Sequence, residues 1–325
     1  MSAVPLPRPK PFRFGVQASA PAGGLTGTPA DARAWRDLAR RVEDLGYATL
    51  TVADHFDDQF AITPAVMAAA DATTRLRVGG LVWCNDYRHP VVMAKEAATI
   101  DVLCEGRFEL GLGAGWMTTD YEQSGIALDR PGVRIERLAE AVGIIKGLFA
   151  DGPVSFDGDH YRVHALEGLP KPLQRPGPPL LLGGGGRRML SLAAREADIV
   201  GINIDLRKGV IDADAGPNAT TDATTEKLRW IHDAAGDRYD DLELQVRVHV
   251  AAVTDDRDAM AELLGPALGI SPADALESPH ALAGTVEQLV EQIQERRDRF
   301  GISYIGIGAD AMEGMAPVVA RLAGT

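Results

Sequence analysis

Eight times along the chain a short apolar stretch of strand character gives way to a segment of helical character, and that alternation most constrains the fold. The strand-like stretches are residues 12–17, 49–53, 76–82, 108–112, 180–182, 199–204, 242–253 and 304–307. The helical segments are 31–45, 62–72, 89–103, 135–149, 187–195, 224–235, 255–264 with 286–299, and 313–322. In 135–149, for example, Leu138, Val142, Ile145 and Phe149 recur about one helical turn apart. Strands linked through helices run parallel with right-handed crossovers. Eight such units predict an α/β fold, a closed (β/α)8 TIM barrel with insertions; an open doubly wound sheet is the alternative. The 325 residues suit one barrel of about 250 residues enlarged by insertions. Residues 1–11, rich in proline, read as a flexible lead-in, and 12–325 as a single domain. The rhythm breaks twice. Residues 154–163, around Asp157, Gly158 and Asp159, read as a β-hairpin, and the polar stretch 205–222 as an irregular insertion.

Composition narrows the function. A formal net charge of −13 argues against nucleic acid or an anionic membrane as partner. No apolar run approaches the roughly 18 residues of a membrane span, and the N-terminus lacks a signal-peptide core. Two cysteines, Cys84 and Cys104, make neither a disulfide framework nor a zinc site, so the cytoplasm is the expected compartment and no metal is expected. Any anion must then be held locally, by arginines and backbone amides.

Active sites of such barrels form where strands end. The residues just past the strands are Gln17, Ala18 and Ser19; Asp54 and His55; Trp83, Cys84 and Asn85; Gly113, Ala114, Gly115 and Trp116; Gly183, Gly184, Gly185 and Gly186; Asn203; and Gly308. His55 is the sharpest candidate, because an imidazole at a strand's mouth exchanges protons near neutral pH; the alternative is a loop cap. His89, just before Pro90, reads chiefly as a helix cap. The glycine alternation before Trp116 suggests a flat ligand near the backbone or a tight barrel corner. The four glycines lead from a strand into a helix that begins Arg187-Arg188, the arrangement of a phosphate site. Arg134 and Arg137 are candidates to join that phosphate, or are solvated surface arginines. Residues 306–311 formally match GxGxxA, but no βαβ unit follows them.

Taken together, the segments Val52-Ala53-Asp54-His55, Tyr87-Arg88-His89-Pro90 and Gly106-Arg107-Phe108-Glu109-Leu110-Gly111-Leu112-Gly113-Ala114-Gly115-Trp116 resemble the luciferase-like monooxygenase superfamily. Leu169-Pro170-Lys171-Pro172, Gln174 and the four glycines add to the likeness, which spans nearly the whole chain from Phe12. The resemblance implies a barrel that binds FMN or coenzyme F420 at its strand ends, and it is greatest to the F420-dependent oxidoreductase branch. It implies His55 near the reactive ring with Asp54 beside it, and Leu81 and Val82 behind the ring, at a place where the family often has a non-proline cis peptide. The implied cofactor set further includes Asn85, Gly113, Ala114, Gly115, Trp116, Arg134, Gly183, Gly184, Gly185, Gly186 and Arg187. The expected activity is hydride transfer between F420 and a small organic substrate, with Trp83 and Trp116 lining the substrate side. An FMN-dependent monooxygenase using O2 and a non-catalytic flavin-binding protein are the alternatives, and a homodimer is the expected assembly.

Overall fold

The computed structural model of the chain describes residues 4–18, 31–210 and 213–325. Ser19 and residues 211–212 of the polar insertion lie outside them. Nine strands form one sheet: β1 (Arg13–Ala18), β2 (Thr49–Val52), β3 (Arg77–Gly80), β4 (Trp83–Cys84), β5 (Phe108–Gly113), β8 (Leu180–Gly184), β9 (Ile199–Ile202), β10 (Glu243–Arg247) and β13 (Ile302–Gly308). Their order is β3-β2-β1-β13-β10-β9-β8-β5-β4, and a further β3–β5 pairing closes the ring. With β4 continuing the line of β3, this is the eight-stranded parallel (β/α)8 barrel expected from the alternation.

Among the helices are α1 (Ala32–Asp44), α2 (Ile62–Ala72), α3 (Pro90–Leu103), α4 (Thr118–Ser124), α5 (Pro131–Phe149), α6 (Arg187–Glu196), α7 (Thr221–Ala235), α8 (Arg257–Leu268), α9 (Pro272–Glu277), α10 (Val286–Phe300) and α11 (Met312–Leu322). Their ends follow local chemistry. Pro90 opens α3, where a missing N–H costs nothing, and the His89 side chain accepts from Val91 N, so His89 is the cap it was expected to be. Thr285 and Gln288 form a capping box on α10, and Gly301 ends that helix at φ 70.

The chain divides into two compact units, Met1–Gln17 with Arg41–Thr49 and Leu182–Thr325, and Ala18–Arg40 with Leu50–Leu181. In the first, β1 and β13 run in parallel register, Val16 opposite Ile307, and β10 pairs with both β13 and β9. The 242–253 stretch splits: beyond Arg247 the chain leaves the barrel sheet, and β11 (Val250–Val253) pairs with β12 (Ala281–Gly284) in a sheet of two. Of the described lead-in residues, Pro5 O accepts from Tyr239 Oη at 3.0 Å and Pro7 is buried.

In the second unit, β5 is buried at every residue. The motif residues around it are braces. Asp101, fully buried, accepts from Gln174 N at 2.8 Å and Gln174 Nε2 at 2.6 Å. Arg77 Nε meets Glu109 Oε1 at 2.7 Å, and Arg107 donates to Leu76 O and Ala70 O. The expected hairpin is present as β6 (Pro153–Asp157) and β7 (Arg162–Glu167), antiparallel. Its turn is gripped by Glu140, whose carboxylate accepts from Asp159 N, His160 N and Tyr161 N.

Candidate active site

At the end of β2 the chain passes through Asp54 and His55. Asp54 accepts from Arg88 Nη1 at 2.6 Å, Arg88 Nη2 at 3.4 Å and Cys84 N at 3.0 Å. A forked pair this enclosed fixes the carboxylate as a brace to the residues after β3. The carboxylate that serves His55 comes from another element. Asp120, buried on α4, places Oδ2 2.6 Å from His55 Nδ1, and its Oδ1 accepts Phe56 N at 3.1 Å. Tyr87 Oη donates to the same Oδ2 at 3.1 Å. With Nδ1–H donating to Asp120, the neutral ring presents a lone pair at Nε2, which meets no partner among the described residues. The Trp116 ring stands edge-on to the imidazole, centroids 5.6 Å apart. This is the geometry of a general acid–base group: an oriented imidazole with one free nitrogen beside an aromatic wall.

A second network lies next to it. Tyr121 Oη donates to Asp86 Oδ2 at 2.8 Å, and Cys84 Sγ lies 3.6 Å from that hydroxyl. Arg137 pairs with Asp86 at 2.7 Å and also with Asp129. Burial pushes the Cys84 thiol up to about 11, which keeps it protonated and unreactive near neutral pH. Asn85 is buried, and its Nδ2 donates to Tyr161 Oη at 3.1 Å. Arg134 is buried and donates to the carbonyls of Ala114, Gly115 and Asp129. Arg134 therefore clamps the loops after β5, and Arg137 ties Asp129 to Asp86 of the segment after β4; in this structure their partners are carboxylates and carbonyls.

The peptide between Leu81 and Val82 is cis. The glycine alternation of β5 reflects close neighbours: a Cβ on Gly111 would collide with Gly80 O, and one on Gly113 with Val82 Cγ2. A Cβ on Gly115, at φ 76, would strike Tyr121 Oη. These glycines make room for the protein's own neighbours, the barrel-corner alternative. Trp83 is wholly buried against Phe108, so it belongs to the core and not to a substrate face.

In the other unit, β8 runs into the four glycines, and Gly186 caps α6 with no side-chain cap on the helix N–H groups. Three of the glycines face protein atoms. A Cβ on Gly183 would meet Gly201 O at 2.7 Å, one on Gly184 Met189 Cγ at 2.8 Å, and one on Gly185 the backbone of Ile204 and Asp205. Only at Gly186 is there room, with Asp205 Oδ2 3.6 Å away. Arg187 and Arg188 are exposed on the first turn of α6. Asp205 is paired with Arg207 at 2.7 Å.

Lys227 of α7 was not singled out from the sequence. It is fully buried, and its Nζ donates to Asn203 O at 2.8 Å and Asn218 O at 2.7 Å. A neutral amine has two N–H groups for those two carbonyls. Burial pushes it down to about 7. Between pH 7 and about 9 the unfolded chain therefore binds a proton that the folded chain does not, and stability rises with pH. Above about 9, Cys84 acts in the opposite sense, since its raised value makes the folded state the one that keeps the proton. Urea unfolding across pH 7–9 is expected to show this rise in the natural protein and a flatter profile in Lys227→Met; equal slopes would refute the assignment.

Among the described residues, no cluster of three or more His, Cys, Asp or Glu suits a metal ion, and no helix is long and apolar enough to cross a membrane. Over 301 residues the chain is 29% identical to the F420-dependent glucose-6-phosphate dehydrogenase of Nakamurella multipartita, a match covering 89% of this chain and 83% of that one. Over 204 residues it is 29% identical to the FMNH2-dependent dimethylsulfone monooxygenase of Pseudomonas putida, covering 58% and 55%. The coenzyme F420-dependent tetrahydromethanopterin reductase of Methanopyrus kandleri has the same fold, with a TM-score of 0.74 at 17% identity over 96% of this chain and 100% of that one. Residues 12–299 match the family described as luciferase-like monooxygenase, and the chain belongs to that family.

Proposed function

We propose that the protein is an F420-dependent oxidoreductase that moves a hydride to or from a small organic substrate. The observation that carries this reading is the His55 imidazole, fixed through Nδ1 by Asp120 and free at Nε2 beside Trp116. The choice of F420 is supported by the Nakamurella relative, which aligns along most of the chain. The second reading, an FMN-dependent monooxygenase, is favoured by the Pseudomonas relative over a shorter stretch.

The residues fit a phosphate-bearing cofactor of either kind. The first turn of α6 is uncapped, Gly186 leaves an opening that a Cβ would fill, and Arg187 supplies positive charge. Gly184, Gly185, Gly186 and Arg187 would hold the phosphate, with Gly183 and Gly185 keeping the turn close to β9. Leu81, Val82, Asn85, Gly113, Ala114, Gly115, Trp116 and Arg134 would shape or support the ring pocket. When bound, the cofactor supplies the hydride chemistry. His55 Nε2 gives or takes the accompanying proton at the substrate oxygen. Asp120 holds the tautomer, Asp54 braces the loop that carries His55, and Trp116 keeps water from the reacting atoms.

The test is redox exchange between F420 and a panel of small alcohols and carbonyl compounds, followed by absorbance. The expected result is reduction of F420 by an alcohol, or oxidation of its reduced form by a carbonyl, at a rate that collapses in His55→Asn. Oxygen consumption with reduced FMN, with no exchange through F420 across the panel, would support the monooxygenase instead.

A further inference from the structure

The sequence Asp-Tyr occurs twice in the site, as Asp86-Tyr87 before α3 and Asp120-Tyr121 on α4, and the two pairs exchange hydrogen bonds. Tyr87 Oη donates to Asp120 Oδ2 at 3.1 Å, while Tyr121 Oη donates to Asp86 Oδ2 at 2.8 Å. The two tyrosine rings are in contact, with centroids 5.7 Å apart. Each carboxylate also serves a cationic or protonatable group, His55 for Asp120 and Arg137 for Asp86. The arrangement is therefore a reciprocal lock between two adjacent elements, and one half of it bears on the imidazole.

We infer that Tyr87 is a positioning residue that sets how readily His55 takes up a proton, by sharing Asp120 Oδ2 with the His55 Nδ1–H. A hydroxyl donating to a carboxylate oxygen drains charge from it, so that less remains to stabilise an imidazolium on the same oxygen. Tyr87 remains a donor throughout the working range, because burial, with Cys84 and Asp120 nearby, raises its phenol. The other carboxylates facing the pair are engaged in ion pairs: Asp54 with Arg88, and Asp86 and Asp129 both with Arg137. The remaining neighbours are the Cys84 thiol, the Tyr121 phenol and the edge of Trp116. Asp120 is thus the one carboxylate that meets His55 directly, its Oδ1 taken by Phe56 N and its Oδ2 shared between His55 and Tyr87. The role matters for turnover only on the reading of His55 as the proton carrier, so its test is made without cofactor or substrate.

The experiment is a proton NMR titration of the His55 ring in the free protein, with its resonance assigned by its loss in His55→Asn. In Tyr87→Phe the pH of half-protonation is expected to rise by about one unit, the scale of one charge-assisted hydrogen bond. In the Asp120→Asn background the same change is expected to do nothing, since the effect passes through that carboxylate. Placing 3-fluorotyrosine at position 87 keeps the shape and strengthens the donor, so the midpoint is expected to fall; this variant decides the matter if Tyr87→Phe does not fold. An unmoved midpoint in the variants, or an equal shift without Asp120, would overturn the inference. A midpoint that moves as expected while His55→Asn turns over normally would keep the inference and remove His55 from the chemistry.

Discussion

His55→Asn is expected to lower turnover by about 10²–10⁴-fold, the range for removing a positioned general acid–base group. Asparagine keeps a polar side chain of similar reach but cannot exchange the proton. The partners that hold the loop, Asp54 with Arg88 and Asp120 with Phe56 N, stay in place. Cofactor affinity is therefore expected to change little. Stopped-flow turnover together with equilibrium binding separates the two quantities. A variant with the natural turnover rate contradicts the assignment, and one that loses cofactor and rate together shows that His55 binds and does not catalyse. Asp120→Asn should reproduce part of the loss, because an amide that offers its N–H to Nδ1 favours the wrong tautomer.

Gly186→Ala carries the second large effect. Its φ of −102 and the ordinary van der Waals distance of 3.6 Å from the Cβ position to Asp205 Oδ2 mean that alanine fits without strain. The added methyl would, however, stand where a phosphate must approach the uncapped N–H groups of α6. Affinity for a phosphate-bearing cofactor is expected to fall roughly 10- to 100-fold, the worth of one or two lost hydrogen bonds to a charged group, with urea stability unchanged. Gly185→Ala makes the contrast. Its Cβ would run into the Ile204 and Asp205 backbone, so that variant is expected to lose about 1–3 kcal/mol of stability through overpacking. Equal cofactor affinity in Gly186→Ala and the natural protein would remove the glycine turn from the site.

The barrel was legible because apolar strand stretches such as β5 alternate with helices that bury one side, such as α10 with Leu289, Ile293 and Phe300, a pattern that survives without knowledge of neighbours. Three elements escaped it. α4 reads Thr-Thr-Asp-Tyr-Glu-Gln-Ser, with no apolar period, and its place depends on burying Asp120 and Tyr121 against other elements. α9 and β12 are too short and too small-sided to signal themselves, and β12 exists only by pairing with β11. The site divided along the same line. His55 stood out by its position after a strand, whereas its true partner is 65 residues away and no spacing links the two. Asp54 adjoins His55 in sequence but turns to Arg88. The glycines of β5 and of the turn after β8 were visible as a pattern, yet most of them serve close approach of the protein's own backbone. The repeated Asp-Tyr dipeptide, which gains meaning only from the hydrogen bonds between its two copies, is the one local signal that could have pointed to α4.

The central claim is that this site works with F420. The measurement that bears on it most directly is a parallel absorbance titration of the purified protein with F420 and with FMN under the same conditions. Saturable binding of F420 at clearly lower concentration than FMN, weakened in Gly186→Ala, is the result expected. Tight saturation by FMN with F420 left free would contradict it.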